Sequence, residues 1–454
     1  MARRQRSTAS LIKAGTMAAI TCIVLSAATM ILWTGTVAQK KMNAASVAAA
    51  RRATGQPQLV AIEPLPEMDG EMCLWEPAAA AESALLANAF AQDMHVSADW
   101  ETKPPGNADR PPTRIIRDTY PTYSAIAINL EKDEVLLQDE NLFGIKVFNR
   151  TDNTPPTASF TEPKRRIAGG GVTKMEFNCG LYVDPKTGDI YSVTNDTIDT
   201  LTVFPWNAEG VMKPKRELYT PHGTFGISVD EDAGEMYLTV QHENSVVVYP
   251  KTASGEDKPK RELAGPKTQL EDPHGIAVDY KNGLMFVSNH GNGIVAATDS
   301  GKFEPPSITV YPLNASGDTA PVRIIEGPRT RLNWPAGMRV DSEHGELYVA
   351  NDGESSILVF KITDSGNVAP TRMIRGPKTH VLNPTDVYLD LKHNEVWAAN
   401  MGNHSAVVFP RTANGDVAPS RVIRSAPIEK KALAIGNPGA VAYDSNRDEI
   451  LTPN

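Results

Sequence analysis

The sequence predicts an all-β fold, a seven-bladed β-propeller of four-stranded blades, and two observations support this. The phrase "EDPHGIAVDYKNGLMFVSN" at 271–289 returns as "NWPAGMRVDSEHGELYVAN" at 333–351 and, more loosely, as "LNPTDVYLDLKHNEVWAAN" at 382–400. A Pro-x-Arg signature also occurs seven times, mostly 45 to 51 residues apart, with one gap of 62. A period of this size, with four strand-like runs in each unit, matches one blade of a propeller.

Each unit has four short runs rich in Val, Ile, Tyr and Phe, separated by Gly, Asn, Asp and Pro, which is the composition of strands and turns. Run one ends in Asp, run two in Asn or Gln, and run three in Phe or Tyr; run four carries Pro-x-Arg. We expect the Asp and Asn side chains to close turns and loops, and the Arg to form a salt bridge with its stem packed on aromatic residues. The signatures are Pro112/Arg114, Pro163/Arg165, Pro214/Arg216, Pro259/Arg261, Pro321/Arg323, Pro370/Arg372 and Pro419/Arg421.

The two ends of the repeat region look complementary. The last unit stops after its second run, at 438–451, whereas "HVSADW" and "PTRII" near the start resemble runs three and four. We therefore expect N-terminal strands three and four to pair with C-terminal strands one and two. Such a closure would leave no open sheet edge.

The repeat "GIAVD…GELYVAN…SILVF" resembles the NHL-type and YVTN-type propeller repeats over residues 94–454. The resemblance implies the propeller architecture. It does not choose a function, because that superfamily includes binding scaffolds, lactonases and lyases.

The chain before the repeats divides into two regions. Residues 1–38 combine a basic start with an uncharged apolar run, which predicts either a cleaved signal peptide or an uncleaved signal anchor. Residues 39–93 form an Ala/Pro-rich linker with one short helix near 76–94, and 94–454 form the propeller. We expect a periplasmic, extracellular or membrane-anchored protein that faces outside the cytoplasm, with a tether through 16–38 as one alternative. Cys73 and Cys179 either pair or remain separate thiols.

Charge limits the partners. The first 52 residues carry eight Arg or Lys and no acid, which leaves 37 basic and 54 acidic residues and a net charge of −17 for the remainder. This excess of acid argues against nucleic acid and against docking on an anionic membrane surface.

Polar residues concentrate in the loops that enter run one and that join runs two and three, which emerge on one face around the channel mouth. We call this the upper face. Two interpretations of its histidines stay open: a polar pocket or general-base site, or side chains that satisfy loop backbone groups. The insertion at 290–307 lies beside them and is a recognition candidate. The predicted ligand-binding residues are His222, Gln241, His242, His274, Asn289, His290, Asn292, Asp352, Asn400 and His404.

Two functions follow from these features. The first is a scaffold that binds a protein, glycan or small-molecule partner on the upper face, without catalysis, cofactor or metal. The alternative is a metal-assisted hydrolase or lyase, lactonase-like, that uses His222, His274 or His290 with a divalent metal. The sequence contains no GxSxG, HExxH, Walker or Rossmann signature, so we favour the scaffold.

Overall fold

The computed structural model describes residues 112–119, 123–139, 142–195, 197–295, 300–403, 405–424 and 441–453. These residues form six four-stranded antiparallel sheets in which the strands follow one another in chain order, apart from a hairpin inserted in the fourth. The first strand of each sheet contacts the first strand of the next sheet. The first strands therefore surround a common axis, and the fold is a six-bladed β-propeller.

The strands of the first three blades are β1 to β12. Blade one contains β1 Tyr123–Asn129, β2 Glu134–Asp139, β3 Gly144–Asn149 and β4 Arg165–Ala168. A four-residue helix, α1 Gly170–Thr173, then leads to blade two, with β5 Asn178–Val183, β6 Ile190–Thr194, β7 Thr200–Phe204 and β8 Arg216–Tyr219. Blade three contains β9 Thr224–Asp230, β10 Glu235–Val240, β11 Ser245–Pro250 and β12 Arg261–Ala264.

The remaining strands are β13 to β28. Blade four contains β13 Pro273–Asp279, β14 Leu284–Asn289, β17 Ser307–Pro312 and β18 Arg323–Glu326, with the inserted hairpin β15 Asn292–Val295 and β16 Ser300–Phe303. Blade five contains β19 Pro335–Asp341, β20 Glu346–Asn351, β21 Ser356–Lys361 and β22 Arg372–Ile374. Blade six contains β23 Pro384–Asp390, β24 Glu395–Asn400, β25 Ser405–Pro410 and β26 Arg421–Arg424; a two-stranded sheet of β27 Ala442–Asp444 and β28 Glu449–Leu451 follows. Short 3-10 turns lie at Pro328–Thr330, Asp352–Glu354 and Pro377–Thr379.

The predicted seven-bladed fold is wrong. Within the described ranges six sheets have four strands, and β27 and β28 pair only with each other. The first Pro-x-Arg signature suggested a further blade because it matches the signatures of the other units. Arg114 does pair with Glu449, as the arginines of other blades pair with a glutamate on strand two. Residues 112–118 nevertheless form no strand, so the signature counts side-chain pairs, whereas a blade requires a ladder of backbone hydrogen bonds. Residues 96–100, assigned to that blade, lie outside the described residues.

The two described ends of the chain still meet beside blade one. Ile116 packs with Ala442 and Leu451 on the cluster that contains Tyr123. Arg150, which follows β3, forms an ion pair with Asp444 at 2.8 Å, and both side chains are buried. These contacts join β27 and β28 to the first blade, while Val441 and Ile450 pack on blade six.

The core lies between neighbouring blades. Strands two and three are covered on both sides, and therefore almost every residue of β10, β11 and β24 is buried. Between blades five and six the packed side chains include Tyr348, Val359, Val396 and Val407. Because β-branched and aromatic side chains alternate across each sheet, each blade gives one face to the blade before it and one to the blade after it.

The outer edges of blades one to five are each tied to the next blade by a glycine. In the first such contact the Gly210 N–H donates to the Arg166 carbonyl at 2.6 Å, and the Ala168 N–H donates to the Gly210 carbonyl at 3.3 Å. The glycine has φ of 73°, a conformation that other residues adopt at a cost. The same bridge recurs at Gly255, Gly317, Gly366 and Gly415, so the fourth strand is not left as an open edge.

The structural roles predicted for the repeated polar residues are confirmed for the turn-closing Asp and for five of the seven arginines, whereas Arg216 donates to the Lys251 carbonyl and no ion pair is seen for Arg323 among the described residues. Asp279 accepts a hydrogen bond from the Asn282 N–H at 3.1 Å and closes the turn between strands one and two. Arg261 pairs with Glu235 at 2.7 Å and lies over the Tyr237 ring. Equivalent pairs are Arg165 with Glu134, Arg372 with Glu346, and Arg421 with Glu395.

The predicted signal, linker and helix at 76–94 lie outside the described residues, as does Cys73. In the described part of the chain no helix has the length and apolarity needed to span a membrane.

Candidate functional site

Four rings form a continuous row of contacts on the upper face, across blades three, four and five, and three of them are stacked. The rings of His274 and His290 are 3.5 Å apart between centroids and 16° from parallel. On one side Phe225 contacts His274 at 4.8 Å, and on the other Trp334 stacks on His290 at 5.3 Å and 9°. We call these four side chains the ring stack. Its histidines are buried or nearly so, whereas Trp334 is 46% exposed.

The local chain path explains why the stack forms. His274 is the second residue of β13, and His290 directly follows β14, which pairs with β13. The buried Asn289 side chain accepts a hydrogen bond from the Glu271 N–H at 3.0 Å, and the His290 N–H donates to the Asp272 carbonyl at 3.1 Å. These bonds bring the loop before β13 against the end of β14, which places the two rings face to face.

The hydrogen bonds of His274 define its protonation state. The Asn195 amide donates to the Gln241 carbonyl oxygen at 2.9 Å, which leaves the Gln241 amide nitrogen to donate to His274 Nε2. His274 Nδ1 lies 3.1 Å from the Asp272 carbonyl and therefore carries the proton that it donates. Burial lowers the pKa of His274 to about 4, in agreement with a neutral ring whose two nitrogens are both occupied.

His290 and Asp272 complete the buried polar part of the site. Burial, reinforced by the neighbouring His274, lowers the pKa of His290 to about 2. His290 is 7% exposed, and its Nε2 has no hydrogen-bond partner among the described residues. Burial also raises the pKa of Asp272 to about 6, although a hydrogen bond from Asn292 opposes this. The site thus combines neutral imidazoles with a carboxyl group that ionises near pH 6.

The site contains one group of possible metal ligands, Asp272, His274 and His290. Carboxylate and imidazole groups bind zinc and related metals, and one potential ligand atom from each residue lies within 4.8 Å of the others. The ring orientation does not suit a shared ion. Imidazole lone pairs lie in the ring plane, and therefore two parallel rings 3.5 Å apart cannot both direct one at the same point. A metal would require rotation of one ring and loss of the Gln241–His274 bond.

A second group of possible ligands, Asp390, His393 and Asp448, lies in the turns between first and second strands, at the opposite face. His393 Nδ1 lies 2.7 Å from Asp390 and its Nε2 lies 3.2 Å from Asp448. Lys392 also pairs with Asp448 at 2.8 Å. This group therefore links blade six to the two-stranded sheet.

Sequence reasoning missed the position that directly precedes strand one. There Phe177, Asp272, Trp334 and Asn383 all have φ between 45° and 54°, and three of them precede a proline, which disfavours helical φ and ψ further. Phe177 and Trp334 are also about half exposed, at 47% and 46%. Strained backbone with exposed aromatic residues is a mark of binding sites. The sequence signal that could have found this position is the residue before the Pro in phrases such as "DPHG" and "WPAG". That residue lies one position before the first strand of the blade begins.

The structure separates the predicted ligand-binding residues into groups. Four of them lie in the ring stack or bond to it or to Asp272: Gln241, His274, His290 and Asn292. His222 instead bonds Asp199 at 2.9 Å and packs on His242 at 4.8 Å. Asn289 and Asn400 are buried and bond loop backbone, while Asp352 accepts a bond from Asn383 at 2.9 Å. His404 lies outside the described residues.

Comparison with known proteins supports the architecture alone. No protein-family model matches the chain, and no curated protein matches it. Among solved structures the chain is similar to hydrazine synthase from Kuenenia stuttgartiensis, with a TM-score of 0.51 and 10% identity over 75% of this chain and 97% of that chain. At this identity the likeness shows a β-propeller fold and carries no activity across; the NHL and YVTN resemblance is not confirmed.

Proposed function

We propose that this protein is an exported β-propeller scaffold that binds a small-molecule ligand on the upper face, at the ring stack and Asp272, without turning it over. The observation that carries the proposal is Trp334, a half-exposed indole on strained backbone that stacks on the buried His290 ring. Apolar surface with a few convergent polar groups is the usual make-up of a ligand site.

The proton affinities of the histidines favour binding over acid–base catalysis. A general base works best when its pKa is near the operating pH, whereas the pKa of His274 is about 4 and that of His290 is about 2. His274 also has hydrogen-bond partners at both nitrogens. Removal of a substrate proton by His274 would first require one of these bonds to break.

A metal-assisted hydrolase or lyase is the second candidate, and one observation favours it. His290 Nε2 is buried without a partner in the described residues, beside the carboxyl of Asp272. An orphaned buried nitrogen costs free energy unless something binds it. Asp272 and His290, with His274 after rotation, would hold such a metal.

Metal analysis with activity assays separates the two candidates. We expect purified protein to contain no stoichiometric divalent metal and to be inert towards lactone and ester panels. Stoichiometric metal that is lost in His274→Ala and His290→Ala, but kept in His222→Ala, would favour the enzyme. His222 is the matched control because it lies outside the ring stack and is half exposed.

Export is proposed from the basic and apolar start of the sequence at 1–38. Cell fractionation with N-terminal sequencing of the mature protein tests it. A new terminus close after residue 38 indicates a cleaved signal, an intact terminus in the membrane fraction indicates an anchor, and recovery only in the cytoplasm would refute export.

A further inference from the structure

We propose that a cavity between the outer strands of blades two and three binds an arginine side chain of a partner protein. The cavity has a volume of about 340 Å³, which is within the range of ligand pockets. Its walls come from β8, β11, β12 and the loops beside them, and none of the four ring-stack residues lines it. A shortened loop, two hydroxyl groups without partners and four unpaired carboxylates support this second site.

The loop that leads from blade two to blade three is four residues shorter than its counterparts. The strand-four arginine and the strand-one aspartate, Arg216 and Asp230, are 14 positions apart at this junction, whereas their equivalents are 18 apart at each of the next three. The longer loops contain a Gly-Pro-Lys-Thr or Gly-Pro-Arg-Thr turn that ends in a buried threonine: Thr268, Thr330 and Thr379. The junction of blades two and three lacks this turn, and the space that it fills elsewhere remains open beside β11.

The missing turn leaves the Tyr249 hydroxyl without a partner. Tyr311 occupies the same position in blade four, and its hydroxyl donates to the Thr268 carbonyl of that turn. Tyr249 is only 3% exposed and lines the cavity, and its hydroxyl forms no hydrogen bond with any residue that the structure describes. Burial raises the pKa of Tyr249 to about 12, and the nearby carboxylates of Glu262 and Glu243, which also line the cavity, add to the rise. The hydroxyl therefore faces the cavity.

Thr220 supplies a second unused hydroxyl. It is 7% exposed and lines the same cavity, and its Oγ1 is buried without a hydrogen-bond partner among the described residues. A buried hydroxyl without a partner costs free energy that a bound donor recovers. Tyr249 and Thr220 together thus favour a ligand that brings several hydrogen-bond donors.

The charges at the cavity favour a cation. Four acidic side chains line it: Glu243, Glu256, Asp257 and Glu262. None of the four forms an ion pair within the described ranges, and Lys258 is the one basic side chain in the lining. Lys260 and Arg261, the neighbours of Glu262 in the chain, are already paired with Glu235. A cluster of unpaired carboxylates attracts a positively charged group to this cavity.

A guanidinium group matches these features better than an ammonium group does. Its five N–H donors lie in one plane and can reach hydroxyl and carboxylate oxygens together. Its faces also stack on aromatic rings, and the Tyr219 side chain, which lines the cavity, is 48% exposed. Because the cavity lies at the outer strands of the propeller and is lined by exposed residues, a side chain that projects from another protein can enter it.

A ligand-observed NMR titration of the full chain with the capped peptide Ala-Arg-Ala tests the proposal. The lysine peptide should bind more weakly, and the citrulline peptide, an uncharged isostere, should bind at least about fivefold more weakly. The combined variant Glu243→Gln and Glu262→Gln should also weaken the arginine peptide about fivefold. Glu209→Gln with Glu343→Gln removes the same charge at exposed positions outside the cavity and should leave binding unchanged.

Two equivalent tyrosines provide the matched control for the cavity. Tyr249→Phe should weaken the arginine peptide about two- to tenfold, the loss of one hydrogen bond, and should leave the melting temperature unchanged because this hydroxyl has no partner in the described chain. Tyr311→Phe removes the bond to the Thr268 carbonyl, so it should lower the melting temperature and leave peptide binding unchanged.

Each other outcome overturns a stated part of the proposal. Equal binding of the arginine and citrulline peptides would overturn the cationic class of the ligand. Guanidinium ion that binds as tightly as the arginine peptide would overturn a polypeptide source. Absence of peptide binding would overturn the site, and so would binding that neither Tyr249→Phe nor the combined glutamate variant weakens. The ring stack is unaltered in all of these variants, so the proposed function is tested separately.

Discussion

The imidazole of His274 is stacked 3.5 Å from that of His290, and the two rings differ in what their nitrogens contact. Gln241 and the Asp272 carbonyl occupy both nitrogens of His274, whereas Nε2 of His290 contacts no polar partner in the described ranges. The first ring is a fixed structural element. The second ring has a buried nitrogen without a hydrogen-bond partner and stacks on Trp334. For this reason we propose the binding function at the Trp334 end of the ring stack.

Acid should destabilise the protein through these histidines. Their pKa values fall from 6.5 to about 4 and about 2 on folding. Below pH 6.5 the unfolded chain therefore binds more protons than the folded chain, and the free energy of unfolding decreases as the pH is lowered. Asp272 acts in the opposite sense, because its pKa rises from 3.8 to about 6 and the folded chain takes up its proton first. His290→Phe keeps a ring in the stack and should flatten the slope by about 1.4 kcal/mol per pH unit.

Urea unfolding between pH 7 and pH 4.5 measures this slope. His222→Phe provides the control, since its ring is half exposed and lies outside the stack. An unchanged slope in the His290 variant would show that His290 takes up its proton equally in the folded and unfolded chains.

The Glu235–Arg261 pair should stabilise blade three except in strong acid. The hydrogen bond from Arg261 holds the pKa of Glu235 at about 2, below its ordinary 4.5. The stabilisation is therefore complete above pH 4.5 and is lost as the pH falls through about 2. Glu235→Gln should cost about 2 to 3 kcal/mol at pH 7 and much less at pH 3. Denaturant titrations at pH 7 and pH 3 measure this loss of stability, with the exposed Glu262→Gln as control. An equal loss at the two pH values would contradict the lowered pKa of Glu235.

Gly275 should be essential for the approach of blades four and five. A Cβ at this position would lie 2.4 Å from the Ala336 carbonyl oxygen and 2.9 Å from Ser288 Oγ. Since the first contact is backbone, Gly275→Ala should destabilise the fold by about 1 to 3 kcal/mol through overpacking. Gly171→Ala is the matched control, because its Cβ would meet no atom within 4 Å. Similar thermal melting of the two variants would disprove the close contact.

Arg150 should anchor the C-terminal two-stranded sheet to blade one. Its side chain is 4% exposed and pairs with the fully buried Asp444. Arg150→Met removes one of the two arginines that pair with this carboxylate, since Arg447 lies 3.2 Å from it. The variant should cost about 2 to 3 kcal/mol, less than the loss when a buried charge keeps no partner. Hydrogen exchange should also accelerate across β27 and β28. Lys392→Met removes an exposed pair with Asp448 and should cost less than about 1 kcal/mol; equal effects would argue against the anchor.

Local patterns predicted local structure well. Asp279 acts as its spacing suggested, because turn closure depends only on residues a few positions away. Asn289 also bonds loop backbone as expected, although its partner Glu271 lies 18 positions earlier in the chain. The blade count failed because Arg114 forms the expected ion pair with Glu449 without a strand around it. Trp334 was missed because its exposure depends on a left-handed backbone and on His290 from the neighbouring blade. Contacts between blades of this kind leave no regular spacing in the sequence.

The central claim is that the ring stack and Asp272 bind a small molecule, and a ligand-observed NMR screen tests it most directly. Wild-type protein and Trp334→Ala are compared against one chemically diverse fragment set. The account predicts that fragments which receive saturation transfer from the wild type lose most of that signal with the variant and retain it with Phe177→Ala. Signals that persist unchanged in the folded Trp334→Ala protein would place the ligand site elsewhere and contradict the account.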